Sequence, residues 1–217
     1  MAVKKVAKNA RCVIIAGSPD ADIGFIKTAV SGGDYVICAD KGYKYAHAAG
    51  ITPDLIVGDF DSYIGELPPD VDTVRLNVRK DYSDTYGCAR YAVEQGFKDI
   101  AVLGATGGRL DHSYANLCLL EYLGDNGARA CLMSEKEKIF LLKKGACIFD
   151  GYGGRTFSLF PFGCACAVAS VENAEYPVSD FKFESKISTG LSNVFHDGCK
   201  ITVSSGKLLV IINIADV

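Results

Sequence analysis

The feature that most constrains the fold is an alternation of short apolar runs and polar, helix-forming stretches over the first half of the chain. The apolar runs are rich in β-branched residues, and turn-forming Gly, Pro or Asp lies close to most of their ends. Such runs are typical of strands buried in a parallel sheet. They fall at residues 12–16, 35–39, 55–57, 74–78 and 100–103.

Two of the intervening stretches have apolar residues at the three- and four-residue spacing of a helix. They cover residues 84–95 and 110–123, and a glycine placed to end a helix follows each of them. The stripes are Cys88, Tyr91 and Ala92 in the first, and Leu110, Tyr114, Leu117 and Cys118 in the second. Strands that alternate with helices predict a three-layer α/β domain, in which helices cover both faces of a parallel sheet.

After about residue 130 the alternation stops, and short strand-like runs are separated by Gly, Pro and Asn. These runs are residues 139–142, 146–149, 156–160, 165–171, 181–183, 201–203 and 207–214. Ser204-Ser205-Gly206 between the last two favours a hairpin turn. We therefore predict an α/β domain at residues 1–130 followed by an antiparallel β-sandwich at residues 131–217.

Composition excludes several classes of function. The formal net charge of −3 provides no basic field for nucleic acid or an anionic membrane. No stretch approaches the roughly 20 apolar residues that span a bilayer, and residues 1–11 lack the apolar centre of a signal peptide, so we expect a cytoplasmic protein. The cysteines form no Cys-x-x-Cys pair, which favours reduced thiols over a metal site.

The first candidate site follows the predicted strand at residues 55–57. Asp59 and Asp61 lie two positions apart, so in extended backbone both carboxylates face the same way. Acids at the carboxyl end of a parallel strand lie where open α/β sheets bind ligands. Mg²⁺ binds one or two such oxygens together with substrate phosphates. A solvated acidic turn is the alternative for this segment.

A second polar loop follows the strand at residues 74–78 and precedes the first predicted helix. It contains Lys80, Asp81 and Asp84. Asp84 also fits the role of a helix N-cap, and this interpretation stays open. Neither Lys80 nor Asp81 has such a structural explanation, so both are candidates for the same site.

The third loop follows the strand at residues 100–103. Its glycines Gly107 and Gly108 let backbone N–H groups approach a phosphate at a helix start, and Arg109 can hold phosphate oxygens in a fork. Asp111 and His112 fall in the first helical turn, where His112 is also explained as a structural residue. Loops after three strands of one sheet gather on one edge, and acids, glycines and a guanidinium there indicate phosphoryl transfer.

Several segments resemble motifs of the thiamine pyrophosphokinases and occur along the chain in the same order. In the first half they are Ala39-Asp40-Lys41-Gly42, Pro53-Asp54, Gly58-Asp59-Phe60-Asp61-Ser62, Lys80-Asp81-Tyr82-Ser83-Asp84 and Thr106-Gly107-Gly108-Arg109-Leu110-Asp111-His112. In the second half, Ser158-Leu159-Phe160-Pro161, Glu175-Tyr176-Pro177 and Thr189-Gly190-Leu191-Ser192-Asn193 resemble the vitamin-binding half of the bacterial enzymes. The resemblance covers nearly the whole chain.

The resemblance implies a homodimer with sites at the subunit interface, Mg²⁺-ATP as donor, thiamine as acceptor and AMP as leaving group. The implied Mg²⁺ ligands are Asp59, Asp61 and Asp81 or Asp84. The implied nucleotide and phosphate site contains Asp40, Lys80, Thr106, Gly107, Gly108, Arg109, Asp111 and His112. The implied thiamine site contains Tyr176 as an aromatic platform, with Ser192 and Asn193 as hydrogen-bonding groups.

Three departures from the family pattern bear on substrate detail. Ser83 replaces the usual threonine, Lys41 stands where glycine is common, and Val194 stands where an acid often follows. The alternatives are a pyrophosphokinase acting on a pterin alcohol, an aspartyl phosphatase, and a non-catalytic thiamine or nucleotide sensor. An aspartyl phosphatase would have no use for the loop at residues 106–112. A sensor would not need all of the acidic residues that phosphoryl transfer requires.

Overall fold

The structure is a computed structural model that describes residues 10–59, 68–77 and 81–215. The predicted site residues Asp61 and Lys80 lie outside the described residues. The chain divides into two compact units, Met1–Ser134 and Glu135–Val217. The first unit ends just after a strand at Arg129–Met133, which the sequence analysis did not predict and which a boundary after residue 130 would cut.

The first unit alternates strands and helices. In chain order its elements are β1 (Cys12–Ile15), α1 (Ile23–Ala29), β2 (Tyr35–Ala39), α2 (Gly42–Ala48), β3 (Leu55–Gly58), β4 (Asp72–Arg75), α3 (Asp84–Glu94), β5 (Asp99–Leu103), α4 (Leu110–Asp125) and β6 (Arg129–Met133). Their strands pair in parallel in the order β6-β5-β1-β2-β3-β4. The parallel α/β fold predicted for this half is confirmed.

Burial explains which strands the sequence predicted well. Every residue of β1, β2 and β3 is buried, so their sequences are continuous apolar runs. Every residue of β4 is exposed, because it is the edge strand. The strand predicted at residues 74–78 overlaps β4 but starts too late: β4 begins at Asp72, which pairs with Leu55 of β3, and residue 78 lies outside the described residues.

The helices α1 and α2 were not predicted because each has only seven residues, too few to show a clear periodicity. Ile26 of α1 and Tyr43 and Ala46 of α2 pack on one face of the sheet, in a cluster with Val13 and Ile15 of β1. Helices α3 and α4 pack against each other, and α3 packs on β1, β2 and β3. No helix of the described chain is both long and apolar enough to cross a membrane.

Helix α4 has two apolar faces, and the stripe recognised in the sequence is largely the outer one. Leu110 is 82% exposed, Tyr114 is 61% exposed, and Cys118 is also exposed. The residues that α4 buries are Asn116, Leu119, Leu120 and Leu123. The predicted helix is therefore confirmed, while its most regular apolar stripe faces away from the core.

The second unit consists of antiparallel strands. They are β7 (Glu137–Leu142), β8 (Gly145–Phe149), β9 (Thr156–Pro161), β10 (Cys166–Ala174), β11 (Val178–Glu184), β12 (Asn193–Ser205) and β13 (Leu208–Asn213). One sheet has the order β7-β13-β9-β12, and the other has the order β8-β12-β10-β11. Strand β12 belongs to both, because its first residues pair with β9 and its later ones with β8 and β10. Phe157 and Phe195 stack in the core at 4.0 Å between ring centroids.

The hairpin predicted at Ser204-Ser205-Gly206 is wrong. Strand β13 pairs with β7 and β9 rather than with β12. The segment at residues 204–206 instead carries the chain from one sheet to the other, with Gly206 at φ 76°. Turn composition cannot distinguish these outcomes, because the partner of β13 is fixed by distant strands.

Candidate active site

The candidate phosphate site lies at the carboxyl edge of the parallel sheet in the first unit. The chain adds β2, β3 and β4 on one side of β1 and then places β5 and β6 on the other side. In open α/β sheets, ligands bind outside the carboxyl ends of the strands at the point where the strand order reverses. Here that point is between β1 and β5.

Asp40 and Asp59 follow the neighbouring strands β2 and β3. The Asp40 N–H donates to the Val57 carbonyl at 2.9 Å. A Cβ on Gly58 would lie 3.1 Å from the Asp40 Cα, so the two strand ends are in close contact. Asp40 has a φ of 43°, a left-handed conformation that Asp tolerates better than most residues. The two predicted acids are thus brought to the same edge.

Helix α3 begins with the second group of predicted residues. Its N-cap is Ser83, whose hydroxyl accepts from the Tyr86 N–H at 3.2 Å. The N-cap interpretation of Asp84 is therefore wrong: Asp84 is the first helical residue, and its Oδ1 is enclosed. Asp81 is exposed just before the helix. Because Ser83 provides the cap, Asp84 needs another explanation.

Arg109 and Asp111 form a forked ion pair at the start of α4. Arg109 Nε donates to Asp111 Oδ1 at 3.1 Å, and Nη2 donates to Oδ2. The side chains are 73% and 63% exposed. The hydrogen bond from Arg109 lowers the pKa of Asp111, and the same bond raises the pKa of Arg109. Arg109 thus presents to a carboxylate the fork that also fits a phosphate.

The glycines of the β5–α4 loop are already engaged by the protein. The Gly107 N–H donates to Ser113 Oγ at 3.1 Å, and the Gly108 N–H donates to Asp20 Oδ2 at 2.7 Å. The Thr106 carbonyl accepts from Ser18 Oγ at 2.6 Å. His112 is exposed, and its backbone N–H donates to Asp111 Oδ1 at 2.9 Å. These contacts fix the shape of the loop.

Sequence reasoning missed the residues that hold this loop. Asn116 of α4 is 8% exposed and donates to the Ala105 carbonyl at 2.8 Å. A polar residue on the buried face of a helix was the available sign for Asn116. Ser18 and Asp20 lie in the β1–α1 loop, where Gly17-Ser18-Pro19-Asp20 looks like an ordinary turn.

The carboxylates at this edge of the sheet could provide one or two ligands to a metal ion. Within residues 10–59, 68–77 and 81–215, no three His, Cys, Asp or Glu side chains are grouped closely enough to hold a metal. Mg²⁺ does not require such a cage, because one or two carboxylates with phosphates and water are sufficient. Asp40 and Asp59 at adjacent strand ends fit this requirement.

The second unit has an apolar pocket of about 310 Å³. Its lining includes Leu159, Val178, Phe183, Leu191 and the two predicted residues Tyr176 and Asn193. The Tyr176 side chain is 65% exposed. A cavity of this volume lies at the lower end of the range for small-molecule sites.

Asn193 holds Tyr176 through its side-chain amide. Asn193 Oδ1 accepts from the Tyr176 N–H at 3.0 Å and from the Val194 N–H at 2.8 Å, and Nδ2 donates to the Tyr176 carbonyl at 2.9 Å. Asn193 begins β12 and pairs with Phe157 of β9. Its amide therefore links the strand to the segment that carries Tyr176.

Ser192 is held by Ser158, which belongs to a segment that carries the family resemblance but was not predicted as a site residue. The Ser192 N–H donates to Ser158 Oγ at 3.1 Å. Ser158 is 6% exposed, and Ser192 has a φ of 59°. A buried hydroxyl thus fixes the left-handed residue just before Asn193, and the exposed Ser192 side chain lies beside the pocket residue Leu191.

Two family models match this chain. The model for the catalytic domain of thiamin pyrophosphokinase matches residues 26–132, and the model for its vitamin B1 binding domain matches residues 147–210. The chain belongs to the thiamin pyrophosphokinase family. It is a transferase of the kinase class with thiamine diphosphokinase activity, and neither alternative, the pterin pyrophosphokinase or the sensor, is favoured.

Solved structures of this family share the fold. A thiamine pyrophosphokinase from Bacillus subtilis has a TM-score of 0.84 and 24% identity, with 94% of this chain and 98% of that chain covered. One from Geobacillus thermodenitrificans has a TM-score of 0.80 and 23% identity, with 94% and 97% covered. The yeast enzyme has a TM-score of 0.76 and 16% identity, with 97% and 88% covered. A comparison with curated protein sequences gives no match.

The predicted residues fall within the matched family segments. Asp40, Asp59, Asp81, Asp84 and the loop at residues 106–112 lie in the catalytic-domain match. Tyr176, Ser192 and Asn193 lie in the vitamin B1 binding match. Ser18 and Asp20 precede the catalytic-domain match, although they contact the loop after β5.

Proposed function

We propose that the enzyme transfers a pyrophosphoryl group from Mg²⁺-bound ATP to the hydroxyl of thiamine and releases AMP. The phosphates bind at the carboxyl edge of the first unit, and thiamine binds in the apolar pocket of the second unit. The enzyme acts in the cytoplasm as a homodimer. The observation that carries the proposal is the placement of Asp40 and Asp59 on adjacent strand ends, in the sheet whose order reverses between β1 and β5.

Each group at this edge has a separate task. Asp59 and Asp40 would hold Mg²⁺, with Asp61 and one of Asp81 and Asp84 as further ligands expected from the family resemblance. When bound, Mg²⁺ supplies positive charge against the phosphate oxygens. Arg109 exchanges its fork with Asp111 for a fork with the transferring group, whose charge must be stabilised as it moves. Lys80, Thr106 and His112 complete the proposed phosphate site. Gly107 and Gly108 shape its loop rather than donate to the phosphates as expected, because their N–H groups are bound to Ser113 and Asp20.

Thiamine binding is proposed from the properties of the second unit. The apolar lining suits flat rings, and the exposed face of Tyr176 suits a ring that carries a positive charge. Because the Asn193 amide is bound to the Tyr176 backbone, Asn193 contributes by holding Tyr176 at the pocket. Its second amide hydrogen and the Ser192 hydroxyl are the groups proposed to bind the pyrimidine.

Truncation of Tyr176 should weaken thiamine binding selectively. We expect Tyr176→Ala to raise the KM for thiamine about tenfold, which corresponds to roughly 1.4 kcal/mol of aromatic and cation–π contact. The KM for ATP should stay within twofold. Steady-state kinetics with each substrate varied in turn measures both. Tyr176→Phe keeps the ring and should behave like the unmodified enzyme; an equal rise in both KM values for Tyr176→Ala would contradict the assignment.

The proposed homodimer has a candidate interface in the exposed stripe of α4, formed by Leu110, Tyr114 and Cys118. Clustered apolar residues on a surface helix mark an interaction site more often than isolated ones do. The stripe starts beside Arg109 and Asp111, so a second copy of the chain seated there would cover the phosphate site. Burial against a partner would also exclude water from the reacting groups.

A charge in the middle of this stripe should break the dimer. We expect Tyr114→Glu to shift the protein to monomer, because an unpaired carboxylate would be buried at the interface. Sedimentation velocity at several concentrations measures the change. Thr28→Glu places the same acid at an exposed position of α1 and should leave the dimer intact. A dimer of unchanged affinity in Tyr114→Glu would remove α4 from the interface.

The proposed reaction is tested by comparing acceptors. Purified enzyme is given Mg²⁺-ATP with thiamine, with a pterin alcohol or with no acceptor, and AMP is followed. We expect AMP only with thiamine. AMP with the pterin alcohol alone would indicate the other pyrophosphokinase, and thiamine binding without AMP would indicate a sensor.

A further inference from the structure

The β1–α1 loop contacts the proposed phosphate loop at three points. The Ser18 N–H donates to the Gly104 carbonyl at 3.0 Å, and Ser18 Oγ donates to the Thr106 carbonyl at 2.6 Å. The Gly108 N–H donates to Asp20 Oδ2 at 2.7 Å. We name Ser18, Pro19 and Asp20 the brace. These bonds join parts of the chain that are 86 to 88 positions apart in the sequence.

The brace lies in direct van der Waals contact with the glycines of the phosphate loop. A Cβ on Gly107 would lie 2.6 Å from Asp20 Oδ2, and a Cβ on Gly108 would lie 2.5 Å from Pro19 Cγ. Both glycines have positive φ, 94° and 62°. Glycine is therefore required at these two positions for the brace to pack against the loop.

Asp20 controls the residue that precedes Arg109. Gly108 donates its N–H to Asp20, and Arg109 is the N-cap of α4 with no side-chain capping bond of its own. The orientation of the Arg109 side chain at the start of α4 thus depends on the position in which Gly108 is held. A catalytic group displaced by about 1 Å can lose two orders of magnitude in rate.

We propose that Asp20 is a positioning residue that, through Gly108, orients Arg109 toward the phosphates of ATP. The proposal rests on the proposed function of Arg109. Asp20 Oδ2 accepts the Gly108 N–H at 2.7 Å, a short and therefore well-formed hydrogen bond. Because Asp20 is exposed, its removal leaves the Gly108 N–H open to water rather than buried and unsatisfied. The fold tolerates the loss, whereas the orientation of Arg109 does not.

A second aspartate on the same loop provides the matched control. Asp22 Oδ1 accepts from the Phe25 N–H at 2.6 Å and caps α1. The two residues are both exposed and both accept one backbone N–H. They differ in the element that they hold, which is α1 for Asp22 and the phosphate loop for Asp20.

Steady-state kinetics and thermal unfolding of Asp20→Ala, Asp20→Asn and Asp22→Ala test the proposal. We expect Asp20→Ala to raise the KM for Mg²⁺-ATP about tenfold, with the KM for thiamine within twofold and Tm unchanged. Asp20→Asn should restore the KM for ATP, because its amide oxygen still accepts from Gly108. Asp22→Ala should lower Tm and leave both KM values unchanged. An Asn variant as impaired as the Ala variant, or a fall in Tm for Asp20→Ala, would overturn the proposal.

A mutant cycle with Arg109→Lys tests whether Asp20 acts through Arg109. In the Arg109→Lys background, Asp20→Ala should change the KM for ATP less than twofold, because the fork that it orients is absent. A full tenfold effect in that background would overturn the proposal.

Amide hydrogen exchange at Gly108 provides a readout that does not require turnover. We expect faster exchange in Asp20→Ala and unchanged exchange in Asp20→Asn and Asp22→Ala. Unchanged exchange of the Gly108 amide in Asp20→Ala would overturn the proposal that Asp20 holds Gly108, even if the enzyme is active. An unmodified enzyme that forms no AMP would instead defeat the proposed function, so the two failures are distinguishable.

Discussion

Asp59→Asn is expected to lower turnover at least about 100-fold while the protein stays folded, since removal of one electrostatic group from a reacting site has this order of effect. Asn retains the size of Asp and one oxygen, but it removes the charge that would attract Mg²⁺. Asp59 is half-buried directly after β3, and the preceding Gly58 closely approaches Asp40. Turnover measured at limiting and at saturating Mg²⁺ should show the largest defect at limiting Mg²⁺.

Asp72 provides the control for this substitution. It is an exposed aspartate on β4 and pairs with Leu55, the first residue of β3, at the end of the strand opposite to Asp59. Asp72→Asn should leave turnover and its dependence on Mg²⁺ unchanged. If Asp59→Asn kept near-native turnover at limiting Mg²⁺, Asp59 would not be a metal ligand.

Gly42→Ala is expected to destabilise the fold by about 3 kcal/mol, because the added methyl group has no space. A Cβ at this position would overlap the Ile15 carbonyl oxygen and lie 3.2 Å from the Ala16 carbonyl oxygen. Helix α2 would have to move away from β1. For a chain of this size the loss corresponds to a fall in Tm of roughly 10 °C. Thermal unfolding followed by circular dichroism measures it.

Gly33→Ala is the matched control for Gly42→Ala. A Cβ on Gly33 would meet nothing within 4 Å. It should leave Tm unchanged or raise it slightly, since alanine restricts the unfolded chain more than glycine does. Equal Tm values for the two variants would show that α2 does not pack against β1 as described. Because Asp40 lies two residues before Gly42, the displaced helix should also reduce activity.

The parts of the fold that sequence predicted best are those in which burial and pattern coincide. Strands β1, β2 and β3 are apolar throughout because helices pack on the sheet and every residue of these strands is buried. The edge strand β4 has no such constraint, and its register follows from pairing with β3. The stripe of Leu110 and Tyr114 has regular helical spacing but is exposed. Apolar spacing identifies one face of a helix without showing whether that face packs on the core of the same chain.

Prediction of the site was limited by contacts between distant segments. Asp59 after β3 was predicted because parallel strands end at one edge, which is a consequence of topology, whereas Asp40 after β2 was predicted only from the family resemblance. The brace was not found because the bond between Asp20 and Gly108 joins residues 88 positions apart. The engagement of the Asn193 amide by Tyr176 likewise depends on how β12 lies beside the turn between β10 and β11.

Isotopic labelling of ATP distinguishes the transfer of an intact pyrophosphoryl group to thiamine from the transfer of single phosphoryl groups. ATP labelled at its β-phosphorus is incubated with Mg²⁺, thiamine and enzyme, and the products are separated. We expect the label in thiamine diphosphate and none in AMP, with one AMP formed for each thiamine consumed. Label found in ADP together with thiamine monophosphate, or label that stays in ATP, would show that this enzyme does not transfer a pyrophosphoryl group to thiamine.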